Sequence, residues 1–235
     1  MRDISSIIAD IQAAAEIYQA GSGHFVYTSN MHGDGYVNYR PLGLAKEHNK
    51  LLREACVILL LQAIEAAQLD TNKKIVVVGP ETMGATMIDR LREADSCGLL
   101  SNISFSSIKL LKDETSATGF TWEVDAYDIL QDAQIIVMDD LLNQSSTFGK
   151  INTKIGMSGQ QIAAMAVIGD RCNVTAEQLE IKAIVSLEQF PGFTVHNPEV
   201  CSQCMAKVPI VLRPGHGHNF QKEFPAHPGG FLDHP

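Results

Sequence analysis

The sequence has no apolar stretch long enough to cross a membrane. The apolar run 55–61 falls far short of the roughly 20 residues that a spanning helix needs, and Gln62 and Glu65 follow it. The first residues, 1–6, also lack the basic and then apolar pattern of a secretory signal. We therefore expect a cytoplasmic protein with no membrane partner.

Basic residues and cysteines are also scarce. Lys and Arg number 18 against 27 Asp and Glu, a formal net charge of −9, which argues against nucleic acid as a partner. The five cysteines are widely spread apart from one close pair, which fits a reducing compartment better than a secreted disulfide framework. Apolar residues, at 45% of 235, are sufficient for the core of one sizeable α/β domain.

Five apolar stretches alternate with helical patterns along the chain. They begin at Ile75, Asn102, Ile135, Gln161 and Lys182. This alternation predicts an α/β fold with a five-stranded, mostly parallel sheet and helices on both faces. We expect a single domain, 1–235, whose core sheet lies in 41–190. A helix over 4–20 and a hairpin occupy 1–40, and the hairpin and the tail, 191–235, are expected to form a small hood over the sheet's carboxyl edge.

The stretch 135–147 carries the strongest functional pattern. Ile135–Met138 is typical of a strand buried on both faces, and two acids, Asp139 and Asp140, follow at once. Because unpaired charge is costly to bury, we expect both acids at the open carboxyl end of this strand. Small polar residues come next: Asn143, Gln144, Ser145, Ser146 and Thr147.

A helix is predicted to begin after this polar run, over 148–157. A strand, two acids, a polar turn and a helix N-terminus together fit a phosphate-sugar site. The carboxylates would accept hydrogen bonds from ribose hydroxyls, and backbone N–H groups would hold the phosphate. The alternative is an ordinary loop between a strand and a helix.

A glycine-rich loop follows the first core strand. The spacing of Gly79–Thr86 matches a nucleotide-binding loop of the Walker A type, but Ala85 stands where that motif has its lysine. Asp139 would suit the acid that ends the Walker B strand, so a nucleoside-triphosphate site is an alternative. The missing lysine, which makes the main phosphate contact, weakens that alternative.

Three further segments carry candidate binding residues. The stretch 109–119 has two lysines, Lys109 and Lys112, among acids and small residues, which is typical of a mobile surface loop. Arg171 follows a predicted strand, at the edge where ligands collect in such sheets. The stretch 23–39 has two short strand-like pieces around a glycine-rich turn, the pattern of a hairpin. A solvated loop, a surface arginine and a plain hairpin remain the alternatives.

The tail contains the close cysteine pair, Cys201 and Cys204. With His216 and His218 it offers the ligand types of a zinc site. One CxxC pair without a second pair is a weak signal, and the His-x-His is unusually placed. We therefore expect no bound metal here and keep zinc as the alternative.

Together these segments resemble, in order, the motifs of the orotate phosphoribosyltransferases, a family of type I phosphoribosyltransferases. The ribose-phosphate motif of that family is matched by Asp139, Asp140, Leu141, Leu142 and Thr147, whereas Asn143, Gln144 and Ser145 replace Thr, Thr and Gly. Its pyrophosphate loop, Gly-Pro-x-x-x-Gly, is matched by Gly79, Pro80 and Gly84. Its N-terminal hood is matched by His24, Phe25, Thr28, Ser29, His32, Tyr36, Val37 and Asn38. Its tail is matched by Cys201, Cys204, Val208, Pro209, Gly215 and Gly217.

The resemblance implies transfer of ribose 5-phosphate from phosphoribosyl pyrophosphate to a base, with orotate as the first candidate, by a homodimer. Asp139 and Asp140 would position the ribose, and residues 143–147 would bind the 5-phosphate. The pyrophosphate would meet Lys109, Lys112, the Gly79 loop and a Mg²⁺ carried by the substrate. The residues implied to contact the base are Arg171, Phe25, Ser29, Tyr36 and Asn38.

The sequence departs from the family in the catalytic loop and after Arg171. Ile108, Glu114 and Thr115 stand where the family has Arg, His and Gly, and Cys172 and Asn173 replace two glycines. Fewer cations and an added acid weaken the stabilisation of a leaving polyanion. One rival hypothesis is therefore a catalytically impaired protein of the same fold that binds phosphoribosyl pyrophosphate or a nucleotide as a sensor. Another is an active transferase that uses a different base.

Overall fold

A computed structural model describes residues 2–27, 30–143, 145–171 and 174–235, with the backbone alone for Ser145 and Ser146. The strands are β1 (Glu16–Tyr18), β2 (His24–Val26), β3 (His32–Gly33), β4 (Tyr36–Asn38), β5 (Ile75–Pro80), β6 (Phe105–Lys112), β7 (Phe120–Trp122), β8 (Gln134–Leu142), β9 (Ile162–Asp170), β10 (Ala183–Gln189), β11 (Val195–His196), β12 (Ile210–Val211) and β13 (Phe231–Leu232). The α-helices are α1 (Ile4–Ala14), α2 (Arg40–Leu44), α3 (Asn49–Ala66), α4 (Met83–Ser96), α5 (Tyr127–Leu130), α6 (Ser145–Gly156), α7 (Ser202–Met205) and α8 (Gly217–Glu223).

The chain forms two compact units. The core unit comprises 1–14 and 39–190, and the small unit comprises 15–38 and 191–235. Helix α1 thus belongs to the core unit, whereas the sequence pattern grouped it with the hairpin in residues 1–40. In the described part of the chain, every helix is too short or too polar to span a bilayer.

The core unit is built on a six-stranded sheet in the order β10-β9-β8-β5-β6-β7. The first five strands are parallel, and β7 pairs antiparallel with β6 at the edge. All of β5 is buried, as expected for a parallel strand covered on both faces. The predicted α/β fold with a mostly parallel sheet is confirmed, with one added antiparallel edge strand.

Helices cover both faces of this sheet. On one face, Phe148, Ile151 and Ile155 of α6 pack with alternate β5 residues, Val76 and Val78. On the other, α1, α2, α3 and α4 pack against one another, and α3 and α4 contact the sheet. Side chains alternate between the two faces of a strand, so β5 contributes to both apolar layers.

The order of the strands creates a crevice beside β5. From β5 the chain moves outward to β6 and β7, then returns to the other side of β5 for β8 and continues to β9 and β10. Pairing of β5 with β8 stops at Val78 opposite Val137, whereas β5 stays paired with β6 through Pro80. Neighbouring parallel strands that part in this way form the usual ligand-binding crevice of an open α/β sheet.

Among the residues described, the small unit consists of short strands around two apolar clusters. Its five-stranded sheet has the order β11-β3-β2-β12-β13, and β1 pairs with β4. The predicted hairpin around the glycine-rich turn is wrong in its pairing: β2 pairs with β3, and β4, which follows that turn, pairs with β1. The predicted helix over 4–20 is wrong in its second half, because α1 ends at Ala14 and Tyr18 pairs with Tyr36. Ile17 and Tyr18 have strong strand preferences, which this pairing satisfies.

Candidate functional site

The two acids lie on β8 where that strand parts from β5. The sequence placed them at the open carboxyl end of this strand, and they do lie in its last four residues, but they are less open than expected. The strand continues to Leu142, held by pairing with Asp170 of β9, and both acids are partly buried within it. The backbone N–H of Asp140 donates to Oδ1 of Asp139 at 2.9 Å.

The surroundings of the pair disfavour its full ionisation. Burial raises the pKa of Asp139 well above its usual range, the charge of Asp140 raises it further, and a hydrogen bond from the Gly84 N–H opposes this. Burial also raises the pKa of Asp140, against hydrogen bonds and the charge of Arg40. Adjacent carboxyl groups cannot both ionise cheaply without donors. A ligand with neighbouring hydroxyl groups would supply those donors.

The loop after β5 is packed directly against β8. A Cβ at Gly84 would lie 2.5 Å from Cδ of Pro80 and 2.7 Å from the Met138 carbonyl oxygen, and one at Gly79 would overlap the Gly84 carbonyl. Neither position has room for a side chain, so the N-terminus of α4 reaches Asp139 through its backbone. Ala85, at the lysine position of a Walker A motif, is buried in α4.

The polar run after the acids leads into the N-terminus of α6. This helix begins at Ser145, three residues earlier than predicted, so its first turn holds Thr147, which is exposed. Buried Oδ1 of Asn143 has no hydrogen-bond partner among the residues described. Gln144 lies outside the described residues. The first N–H groups of a helix have no partner within it and attract anions.

The two candidate lysines are strand residues, so the prediction that they lie in a mobile loop is wrong. Strand β6 extends through Lys112 because it pairs with β7, and only 113–119 connects the two. Nζ of Lys109 pairs with Asp89 of α4 at 2.6 Å. Lys112 is exposed, and its backbone N–H donates to Oε2 of Glu81 in the β5–α4 loop at 2.7 Å.

Arg171 joins the same region through its backbone. It directly follows β9, and its N–H donates to the carbonyl of Leu142, at the end of β8, at 2.9 Å. Its side chain is buried, with 7% exposed. Cys172 and Asn173 lie outside the described residues. The core unit thus brings together the acids, the glycine loop, the start of α6, both lysines and Arg171.

The remaining candidates belong to the small unit. Phe25 is fully buried and packs against Tyr18 and Tyr36, with ring centroids 5.5 and 5.8 Å apart, so its ring has a packing role. Tyr36 and Asn38 are partly buried, and Asn38 Nδ2 donates to Glu16 at 2.7 Å. Ser29 lies outside the described residues. Contact of this segment with a base stays a prediction.

Sequence reasoning missed several residues with polar roles. Arg40, Glu81 and Asp89 each act on a candidate site residue, but a single acid or arginine gives no sequence signal. The histidines near Cys201 and Cys204 are not the predicted His216 and His218. They are His24 and His32. The predicted hairpin was the available signal, because a hairpin can bring two histidines eight residues apart side by side on paired strands. His218 instead accepts a hydrogen bond from Arg213 at 3.0 Å.

No protein-family model matches this chain. No curated protein matches it in sequence. Solved structures do match. Orotate phosphoribosyltransferase of Francisella tularensis aligns over 79% of this chain and 84% of its own, with 13% identity and a TM-score of 0.50. A phosphoribosyltransferase of Corynebacterium diphtheriae aligns over 79% of this chain and 95% of its own, with 12% identity and a TM-score of 0.52. Adenine phosphoribosyltransferase of Thermoanaerobacter pseudethanolicus aligns over 78% of this chain and 99% of its own, with 15% identity and a TM-score of 0.50.

These similarities establish the fold. The chain has the fold of the type I phosphoribosyltransferases, as its motifs suggested. Identities this low carry no information about which residues act on a ligand.

A methyl group at Gly84 should damage the site and the fold together. Gly84→Ala must push Pro80 or the Met138 carbonyl aside, and such overpacking costs about 1–3 kcal/mol. Gly149→Ala, on α6 with no atom within 4 Å of the new Cβ, is the matched control and should be neutral or stabilising by up to about 1 kcal/mol. Urea unfolding measures both variants, and equal stability of Gly84→Ala and wild type would contradict the close approach.

Asp139→Asn should stabilise the protein at neutral pH. An acid whose folded pKa lies above its unfolded value binds its proton more tightly when folded, so its ionisation lowers the free energy of unfolding. The stability gap between variant and wild type should therefore open as pH rises above about 3.9 and widen until the raised folded pKa of Asp139 is passed.

The exposed Asp95→Asn is the control for the loss of one carboxylate at the protein surface. Thermal unfolding across pH 4 to 8 measures all three proteins. A gap for Asp139→Asn that closes with rising pH would show that Asp139 ionises readily in the folded state.

Proposed function

We propose that this protein is a phosphoribosyltransferase that transfers ribose 5-phosphate from phosphoribosyl pyrophosphate to a base and releases pyrophosphate. The observation that carries the proposal is the position of Asp139 and Asp140. They lie at the crevice beside β5, next to the N-terminus of α4, on the strand that leads into α6. Two carboxyl groups near two helix N-termini suit a sugar that carries phosphate at both ends.

In this proposal the acids fix the ribose. The bond between ribose C1 and the pyrophosphate oxygen breaks, a bond from C1 to a nitrogen of the base forms, and the proton of that nitrogen is released to solvent. Asp139 and Asp140 accept hydrogen bonds from the two ribose hydroxyls, which favours their ionised forms and orients C1 for attack. The first turn of α6, with Thr147, holds the 5-phosphate.

The leaving pyrophosphate requires positive charge and donors. The β5–α4 loop, which begins after Gly79 and Pro80, supplies backbone N–H donors and the N-terminus of α4. Lys112 supplies an exposed cation beside that loop. Mg²⁺ enters with phosphoribosyl pyrophosphate as part of the substrate and neutralises its phosphates. Together these groups would stabilise the charge that develops on pyrophosphate.

Orotate is the first candidate base. The resemblance of the hood segment and the place of Arg171, a buried cation at the end of β9, support a base that carries a carboxylate. The solved structures with this fold include enzymes named for orotate and for adenine, so adenine is the second base to test.

Calorimetric titration with phosphoribosyl pyrophosphate and Mg²⁺, followed by a pyrophosphate-release assay with each base, tests the proposal. We expect binding, and release with one base. The double variant Asp139→Asn/Asp140→Asn should lose about hundredfold or more in affinity, since hydrogen bonds to charged groups contribute about 1.5–3 kcal/mol each. The control Asp95→Asn should bind as wild type does. Absence of binding by wild type would overturn the ribose-phosphate assignment.

The second candidate is a non-catalytic protein that binds phosphoribosyl pyrophosphate or a nucleotide as a sensor. It is favoured by the ion pair of Lys109 with Asp89, which occupies one of the two cations proposed for pyrophosphate. The same segment has Ile108 in place of the family's Arg and carries Glu114. For this candidate, the assay would find binding without release on any base.

Asp89→Asn tests whether the ion pair restrains Lys109. Removing the Asp89 charge should increase the affinity for phosphoribosyl pyrophosphate by no more than about fivefold, because a partly exposed ion pair contributes about 0–1 kcal/mol. The double variant Asp89→Asn/Lys109→Ala should lose that gain. Lys109→Ala alone should reduce the affinity, and an affinity equal to that of wild type would mean that Lys109 takes no part in binding.

A further inference from the structure

Four side chains of the small unit converge on one point. They are His24 of β2, His32 of β3, Cys201 directly before α7, and Cys204 within α7. One ligand atom from each lies within 4.8 Å of the other three. His24, His32 and Cys201 are buried, and Cys204 is partly buried. Both cysteines are thiols rather than a disulfide.

Four of the six separations are close to those of a tetrahedral site. His24 Nε2 lies 2.9 Å from His32 Nδ1, 3.6 Å from Cys201 Sγ and 3.7 Å from Cys204 Sγ, and His32 Nδ1 lies 3.1 Å from Cys204 Sγ. Zinc bonds of about 2.05 Å to nitrogen and 2.3 Å to sulfur give tetrahedral edges of about 3.3 Å between nitrogens and about 3.6 Å between nitrogen and sulfur. These four separations lie within about 0.5 Å of the tetrahedral edges, and all six lie within 4.8 Å.

A backbone contact orients one of the imidazoles. Nδ1 of His24 lies 2.9 Å from the Val208 carbonyl oxygen, which can only accept, so Nδ1 carries the proton and Nε2 directs a lone pair into the cluster. Metal-bound histidines typically make this outer hydrogen bond to a carbonyl. The ring of His32 is held edge-on against Phe220, with centroids 5.0 Å apart.

We propose that His24, His32, Cys201 and Cys204 bind one zinc ion. Two thiolates and two imidazoles are the ligand set that zinc prefers, and four protein ligands fill its tetrahedral shell. No position is left for water or substrate, so the ion is structural. It links the hairpin β2–β3 to α7. These segments are distant in sequence, since His32 and Cys204 are 172 positions apart.

The small unit has reason to need such a link. Its strands contain two or three residues each, and its two buried clusters are small. Units with little apolar core commonly depend on a metal or a disulfide for stability. Because folding and metal binding are then coupled, removal of zinc should loosen this unit.

Metal content of the full chain is the first measurement. Protein purified under reducing conditions without chelator should contain about one zinc ion per chain, as measured by inductively coupled plasma mass spectrometry. The metal-free protein titrated with Co²⁺ should develop thiolate-to-cobalt absorption and the strong visible bands of tetrahedral cobalt. A reduced protein that takes up neither metal, or one that forms a Cys201–Cys204 disulfide even in the presence of zinc, would overturn the proposal.

Single substitutions identify the ligands. Cys204→Ser and His32→Gln should each reduce bound zinc at least about tenfold. Cys97→Ser, an exposed cysteine, and His218→Gln, a tail histidine outside the cluster, should keep the metal. Should a ligand variant fail to fold, the cobalt spectrum of wild type still decides. Binding of phosphoribosyl pyrophosphate plays no part in these measurements, so the two proposals can fail separately.

Discussion

The close approach of the β5–α4 loop to β8 is the constraint on which the candidate site depends. It exists because Gly79 and Gly84 have no side chains, so the loop backbone rests on its neighbours. The approach brings the Gly84 N–H to Asp139 and offsets part of the cost of burying that carboxyl group. Without it, the acids would lie beside an apolar gap rather than a helix N-terminus, and their burial would be costlier still.

The same arrangement is unfavourable for stability in the absence of a ligand. Two adjacent acids with raised pKa values lie near the carboxyl end of a largely apolar strand, a pattern that is more frequent at functional sites than elsewhere. Ribose hydroxyls would supply the missing donors. The ion pair of Lys109 with Asp89 acts in the opposite sense, because it uses a cation that a pyrophosphate would need. In the proposed transferase, pyrophosphate would have to compete with Asp89 for Lys109.

The two units achieve stability by different means. The core unit buries long β-branched strands between helices, so hydrophobic burial is sufficient to hold it together. The small unit has strands of two or three residues and few buried apolar side chains, and Phe25 is used for packing rather than for an exposed aromatic surface. Its cluster of two imidazoles and two thiols places polar groups where apolar side chains would otherwise form a core. A bound metal would satisfy these polar groups.

Local pattern in the sequence determined the sheet. Apolar runs alternating with helical spacing predict parallel strands, and polar residues directly after such a run mark its carboxyl end, so the sheet, the acids and the glycine loop could be located without coordinates. The tertiary structure decided what depends on distant partners. Pairing with Asp170 extends β8 past the acids, and pairing with β7 makes the lysine segment part of a strand. Pairing of Tyr18 with Tyr36 accompanies the early end of the first helix. The histidines that lie beside the cysteine pair are His24 and His32, not those close to the pair in sequence. Local spacing cannot encode such pairings, because they form between segments that only the folded chain brings together.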